Sequence, residues 1–421
     1  MIQKTELFPG ITLRCFRDHR FKHGCLSVQL VRPMCRQEAA LNALLPAILL
    51  RGSKNYPDLR DITLHLDDLY GASVGALVRR VGDYQTTGLY SSFMEDRFTM
   101  EGDQILAPMV DFLRELLLEP LTQAGVFRAD FVESEKKNLV STIESQLNDK
   151  RAWAMEQLFR GMCREDSFGV PRLGEKEDVE AITPQSLYGH YKKILQESPI
   201  DLFYVGSEPA ETVAALVRGL FEGLSRNYVN LPEQTPFHNV PGFDREQTMD
   251  VNQGKLCMGF VTPVTIRDPG FVATQVMNTI FGGGMTSKLF SHIREKLSLC
   301  YAIGSGYHGA KGILSVSAGI DSNMGQAVRR EVLNQLEACR NGEISDQEMT
   351  AAKQALRSSL LATHDSPGAI ENYYATSALS GLGMTPEMYL QKVEATTLEQ
   401  VQQAARETTL HSVFFLKGVR P

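Results

Sequence analysis

The strongest constraint on this chain is that its pattern of elements occurs twice. Along residues 11–94 the hydrophobic periodicity predicts two strands ("GITLRCFRD", "CLSVQLVRP"). Then come a helix closed by Gly52, a second helix ending at Gly71, and further strands through "SVGALVRRV" and "YQTTGLYSSF". "DRFTMEG" reads as one more strand. "ILAPMVDFLRELLLEP" is amphipathic, and 131–162 is a long helical stretch loosened at Asn148-Asp149. From 248 onward the order returns: "TMDVNQGKLCMGFVTP" as strand, "GFVATQVMNTIFGGG" as helix, then a helix running into a strand up to Tyr307. After that come "ILSVSAGI", two more helices and the closing strand "HSVFFLKG". Small details repeat as well. Gly52-Ser53-Lys54 precedes one helix and Ser287-Lys288 another, and Asn148-Asp149-Lys150 and Asp365-Ser366-Pro367 each break a long helix.

Between the copies lies "NYVNLPEQTPFHNVPGFDREQ", with Pro232, Pro236 and Pro241 and little apolar periodicity. Such a stretch reads as a linker. The expected organisation is an N-terminal domain over 1–228, a linker over 229–246 and a C-terminal domain over 247–421. The expected fold is α/β (α+β). It has two homologous domains, each a mixed, largely antiparallel sheet covered by helices, arranged as a half clamshell. A chain of 421 residues suits two cores rather than one.

Composition excludes several classes. A net charge of -7 with interspersed signs argues against nucleic acid or an anionic membrane as the main partner. No segment approaches the ~20 apolar residues that a bilayer span requires. The N-terminus lacks the basic and apolar regions of a signal peptide, and the seven cysteines show no CxxC spacing. Reduced thiols and the cytoplasm are the expectation.

Other clusters favour packing over chemistry. Cys15, His19, His23 and Cys25 have metal-ligating side chains, but the hairpin also carries Arg17, Arg20 and Lys22, and the spacing fits no zinc signature. His65, Asp67 and Asp68 read as the solvated face of a helix. Glu95 and Asp96 read as a hairpin turn. No phosphate-binding glycine loop and no nucleophile elbow is present.

The segment "GGGMTSKLFSHIREKLSLCYAIGSGY", set in this doubled order, resembles the insulinase/pitrilysin superfamily of zinc metallopeptidases. It looks closest to the YmfF-like proteins, a branch without the metal site. The resemblance covers nearly the whole chain. Active relatives carry an inverted motif, His-x-x-Glu-His, in which two imidazoles one helical turn apart hold zinc and the carboxylate activates water. By the resemblance those positions fall on Ala43, Pro46 and Ala47 in "LNALLPAILLRGS", and a downstream glutamate ligand falls near Thr142. Glu135 and Glu144 lie close by. No metal is expected in this chain. The resemblance also implies that Arg294 and Tyr301 hold a substrate peptide, and that Gly282, Gly283 and Gly284 let backbone approach closely. Arg supplies a fixed charge to a peptide carbonyl and Tyr a neutral donor.

The function implied is a non-catalytic subunit in peptide hydrolysis, with zinc in a sister subunit, paired as a heterodimer or as a homodimer. The alternative is a peptide- or protein-binding accessory with no hydrolytic role, such as a chaperone or a factor in elongation-factor modification.

Overall fold

Strand β3 (His23–Pro33) is buried on both faces along most of its length, as a central strand must be. Its apolar and β-branched residues, Leu26, Val28, Leu30 and Val31, explain that placement. The computed structural model describes residues 2–419. Before β3 come β1 (Ile2–Phe8) and β2 (Ile11–Arg17). After it follow α1 (Arg36–Leu49), α2 (Leu59–Asp68), β4 (Ser73–Val81), β5 (Tyr84–Met94), α3 (Leu106–Leu118) and a small hairpin of β6 (Thr122–Gln123) and β7 (Val126–Phe127). Then come α4 (Ala129–Gln146), α5 (Lys150–Met162), α6 (Lys176–Glu180), α7 (Pro184–Glu197), β8 (Ile200–Gly206) and α8 (Ala210–Phe221).

Residues 224–243 contain no helix or strand. Beyond them lie β9 (Asp244–Met249), β10 (Gly254–Val261), α9 (Phe271–Gly282), a π-helix (Leu289–Lys296), β11 (Ala302–His308) and β12 (Ile313–Ile320). The chain continues through α10 (Gly325–Asn341), α11 (Asp346–Ala362), α12 (Pro367–Ser380), α13 (Pro386–Ala395) and α14 (Leu398–Glu407), and β13 (Thr409–Gly418) is the last strand.

The duplication is visible in the sheets. One has the order β1-β2-β8-β3-β5-β4, the other β11-β12-β10-β13-β9. Read from opposite ends, β2, β8, β3, β5 and β4 correspond to β9, β13, β10, β12 and β11. Each sheet has one parallel pair, β2 with β8 and β9 with β13, and its other pairings are antiparallel. The fold is thus two mixed, largely antiparallel sheets covered by helices.

The chain forms two compact units, each drawn from both sides of residues 224–243. Unit 1 comprises Met1–Glu144, Val170–Glu233 and His364–Thr376; unit 2 comprises Ser145–Gly169, Gln234–Thr363 and Ser377–Pro421. In unit 1, Ile370, Tyr374 and Ala375 of α12 pack on Phe16, Cys25, Phe203 and Val205 of the sheet. Glu371, 1% exposed, is the polar centre of that contact. It accepts from Ser27 Oγ (2.7 Å), Gln29 Nε2 (2.8 Å) and both terminal nitrogens of Arg79 (2.9 and 2.7 Å).

In unit 2, Leu158 and Met162 of α5 pack on Cys257, Phe414 and Leu416. Met162 sits over Gly259, where any Cβ would strike its sulfur. Lys311, wholly buried, pairs with Asp166 at 2.9 Å and donates to the Thr235 carbonyl at 3.0 Å, which ties down the start of the second half.

Three expectations need correction. "DRFTMEG" is not a strand: Asp96–Phe98 form one tight turn, and the Asp96 carboxylate accepts from the backbone N–H groups of Ile105 and Leu106, opening α3. His65 is not on a solvated face. It stacks on Tyr56 (4.6 Å) and Phe112 (4.8 Å). Glu95 is buried rather than at an open turn, and accepts from the Ser207 N–H at 2.9 Å.

Removing one member of a buried ion pair strands the other charge. Lys311→Ala should therefore destabilise unit 2 by roughly 3–5 kcal/mol. Urea unfolding monitored at Trp153, which packs on Phe414 in that unit, reads the loss directly. A shift below about 1 kcal/mol would show that Asp166 finds solvent without Lys311.

Candidate functional site

The four positions implied for a zinc site lie on α1 and α4 of unit 1. Ala43 and Pro46 are buried and Ala47 is half-buried. None of these three side chains carries a donor atom. Thr142 is exposed and spends its hydroxyl proton on the Asn138 carbonyl at 2.9 Å. The nearby carboxylates are engaged with cations: Glu135 with Arg51 at 3.1 Å, Glu144 with Lys176 at 2.5 Å. This set does not fit a zinc ion.

Helix α1 is instead secured by neutral hydrogen bonds. His190 Nε2 donates to Asn42 Oδ1 at 2.7 Å, Asn42 Nδ2 donates to Gln85 Oε1 at 2.9 Å, and Gln85 Nε2 donates to the carbonyls of Ala39 and Arg172 at 3.1 and 2.7 Å. Burial holds the His190 imidazole neutral, with its pKa lowered to about 4. Arg32 and Lys193 push the same way and Glu38 opposes them. Pro46 does not end the helix, which continues to Leu49. The N–H that Pro46 lacks would have met the Asn42 carbonyl, and Thr87 Oγ1 donates to that oxygen instead at 2.7 Å.

The cysteine–histidine hairpin does not converge. Cys15 belongs to the main core of unit 1 and Cys25 to the cluster under α12. Burial pushes both thiols up to about 12.

In unit 2, Arg294 and Tyr301 are both exposed. Arg294 lies on the π-helix, its guanidinium 4.6 Å from the Phe290 ring. Wide turns of this kind concentrate at functional sites. The helix closes with Ser298 in the left-handed region (φ 51°) and with the Leu299 N–H on the Ile293 carbonyl at 2.9 Å. That turn delivers Tyr301 to the start of β11. The Tyr301 hydroxyl donates its one proton to Asp321 Oδ1 at 2.9 Å, and this bond raises the phenol pKa. Outward, the oxygen therefore presents lone pairs.

Gly282, Gly283 and Gly284 line a groove of about 740 Å³, together with Arg151, Met155, Phe290 and residues of β11 and β12. The three glycines do different things. A Cβ on Gly282 would lie 2.6 Å from Ser305 Oγ, and one on Gly283 would lie 2.7 Å from the Thr279 Cα; both are demanded by packing. A Cβ on Gly284 would meet nothing within 4 Å. Among the described residues β11 pairs only with β12, so its other edge is free. Residues 303, 304, 305 and 306 all line the groove. Consecutive strand residues point to opposite faces, so a groove touching both parities follows the free edge.

Sequence reasoning missed Arg151, which follows the helix break at Asn148-Asp149. Asp149 caps α5 by accepting from the N–H groups of Arg151 and Ala152. That capping pattern was the available signal.

Comparison with known proteins agrees with this architecture. Residues 181–356 match the Peptidase M16 inactive domain family. A Bacillus subtilis (strain 168) protein described as a probable inactive metalloprotease, YmfF, is 30% identical over 410 residues, 97% of this chain and 96% of its own. An uncharacterized zinc protease of Rickettsia felis is 24% identical over 58% of this chain and 59% of its own length. A conserved protein from Enterococcus faecalis V583 superposes with a TM-score of 0.92 at 28% identity, covering 100% of this chain and 99% of that one. A peptidase M16 inactive domain from Pseudomonas fluorescens does so at 0.82 and 17% identity, covering 99% and 98%, and shows the same fold. The chain belongs to the M16 peptidase family. Within it, this is an inactive, YmfF-like member.

His190 yields a prediction whose sign is fixed. Its folded pKa of about 4 lies below the ordinary 6.5, so the unfolded chain binds the proton first and stability falls as pH drops from about 6.5 toward 4. Between pH 7 and 5 the wild type should lose roughly 2 kcal/mol that His190→Gln does not. Chemical denaturation at the two pH values measures it, and parallel losses in both proteins would remove His190 from the account.

Proposed function

We propose that this chain is the non-catalytic subunit of an M16-type zinc peptidase. It binds an extended peptide along β11 and completes the site of a zinc-bearing sister subunit in a cytoplasmic heterodimer; pairing with a second copy of itself is the other form this takes. The observation that carries the reading is the glycine-lined groove along the free edge of β11, which shares Phe290 with Arg294. A free strand edge offers backbone groups to any extended peptide, whatever its sequence. Arg294 is a charged donor for a peptide carbonyl on which negative charge develops. Tyr301, its proton held by Asp321, accepts an N–H of the same peptide. This chain's own contribution is to bind and orient; cleavage belongs to the partner's metal. Ala43, Pro46, Ala47 and Thr142 are the emptied ligand positions in this account.

The test is turnover of a complex reconstituted with a zinc-bearing M16 partner. Arg294→Ala should lower it by a hundredfold or more, about 3–4 kcal/mol, without dissociating the complex. Tyr301→Phe should cost roughly fivefold, the worth of one neutral hydrogen bond, with the melting temperature unchanged. Wild-type cleavage by both variants would make the pair structural and leave a peptide-binding accessory as the function.

The isolated chain should retain no stoichiometric zinc after dialysis. Metal analysis finding one tightly held ion per chain would contradict the emptied-site account.

A further inference from the structure

The groove along β11 carries a guanidinium, that of Arg151, whose side-chain hydrogen bond goes to a neutral partner. Arg151 stands at the N-terminal end of α5, exposed, and lines the groove. Its Nε donates to Ser317 Oγ at 2.8 Å, a neutral partner. The neighbouring carboxylate of Asp149 is occupied in capping the helix. On β10, Lys255 is a second cation in the same surroundings. Its side chain bonds only the neutral amide of Gln253, and its pKa is lowered by burial first and by the Arg151 charge second. Asp149 also lines the groove and opposes the Arg151 effect on Lys255, so two cations stand near one carboxylate that is already bonded to the helix N-terminus.

The direction of α5 adds spacing to this charge. Ser317 lies opposite Gly304, and Arg151 reaches Ser317. Four strand residues further on, at His308, the ring of Phe159 packs at 4.9 Å. Eight helical residues rise ~12 Å and four strand residues ~13 Å, so α5, which packs over β10 and β13, runs in the same sense as β11. Met155, one turn beyond Arg151 and also lining the groove, then stands ~6 Å along the strand direction. An extended peptide places alternate side chains ~6.6 Å apart on one face.

We propose that Arg151 makes the β11 groove selective for extended peptides bearing an acidic side chain two positions from an apolar one, the carboxylate pairing with the Arg151 guanidinium and the apolar group lying on Met155. This rests on the peptide-binding reading of the groove. The planar guanidinium suits a carboxylate in a way a neutral donor does not, and the flanking Gly304 and Gly306 leave room over the strand.

The experiment uses the full chain and short fluorescein-labelled peptides of alternating threonine and valine, with a central Glu-Thr-Leu or Leu-Thr-Glu. Matched probes carry Gln in place of Glu. Anisotropy at low salt should show at least one Glu probe binding about tenfold tighter than its Gln counterpart. The gap should narrow sharply at ~500 mM salt. Arg151→Gln should erase it while leaving the melting temperature unchanged. Equal affinities for Glu and Gln probes would overturn the charge selection and leave the groove reading standing. A Glu preference that persists in Arg151→Gln would also overturn the assignment to Arg151. Absence of binding by every probe would overturn the groove reading and this inference together.

Discussion

The carboxylate of Glu371 is the point on which the construction of unit 1 turns. A buried charge is tolerated only when donors surround it. Here the donors come from β3, through Ser27 and Gln29, and from β4, through the fork of Arg79. The residue itself arrives from 342–344 positions further along the chain. Apolar burial by Ile370, Tyr374 and Ala375 supplies attraction without direction. The carboxylate supplies the register, since a shift of one residue along α12 would leave the charge unmet and Arg79 without its partner. Unit 2 is fastened by different chemistry at the equivalent place: Met162 over the bare backbone of Gly259, and Lys311 reaching Asp166 and Thr235.

Much of this was legible in the sequence and some could not be. The doubled order of strands and helices survives in the sheet orders because alternation and helical periodicity are local signals. The segment 364–376 shows the limit. The sequence shows it only as helix beyond the break at Asp365-Ser366-Pro367, because nothing local says that Glu371 meets four donors more than 290 residues away. His65 was misplaced for the same reason: the rings of Tyr56 and Phe112 that receive it come from a loop and another helix. At the site, the exposure of Arg294 and Tyr301 suits the roles that the resemblance implied. The bond from Tyr301 to Asp321 lay twenty residues ahead on the far side of a hairpin, out of reach of any spacing argument.

Helix α1 stays ordered with no donor side chain at the positions where the resemblance implies metal ligands. Imidazoles on a ligand helix need outer partners to hold them in one tautomer. Here the polar order of the helix lies in a relay from His190 through Asn42 and Gln85 to backbone carbonyls. Every member is neutral, so the relay itself adds no buried charge beside the Arg32–Glu38 pair. Thr87 covering the Asn42 carbonyl makes Pro46 harmless, so a residue that breaks most helices sits inside the last turn of this one.

The interleaving of the two units also governs how such a chain is made and inherited. A ribosome releases residues in order, yet unit 1 is incomplete until Thr376 has emerged, and the sheet of unit 2 waits for β13. The main core of unit 1, drawn from residues between Leu7 and Phe221, can therefore close long before the sheet face that Ile370, Tyr374 and Ala375 cover. The same geometry limits recombination between related genes. A crossover in the linker would join a β3 and β4 from one parent to an α12 from the other, and the hybrid would fold only where the donors of one lineage fit the carboxylate of the other. Divergence at Ser27, Gln29, Arg79 and Glu371 is therefore bound to proceed in concert, although the gene is long enough to hold two domains that could have drifted apart.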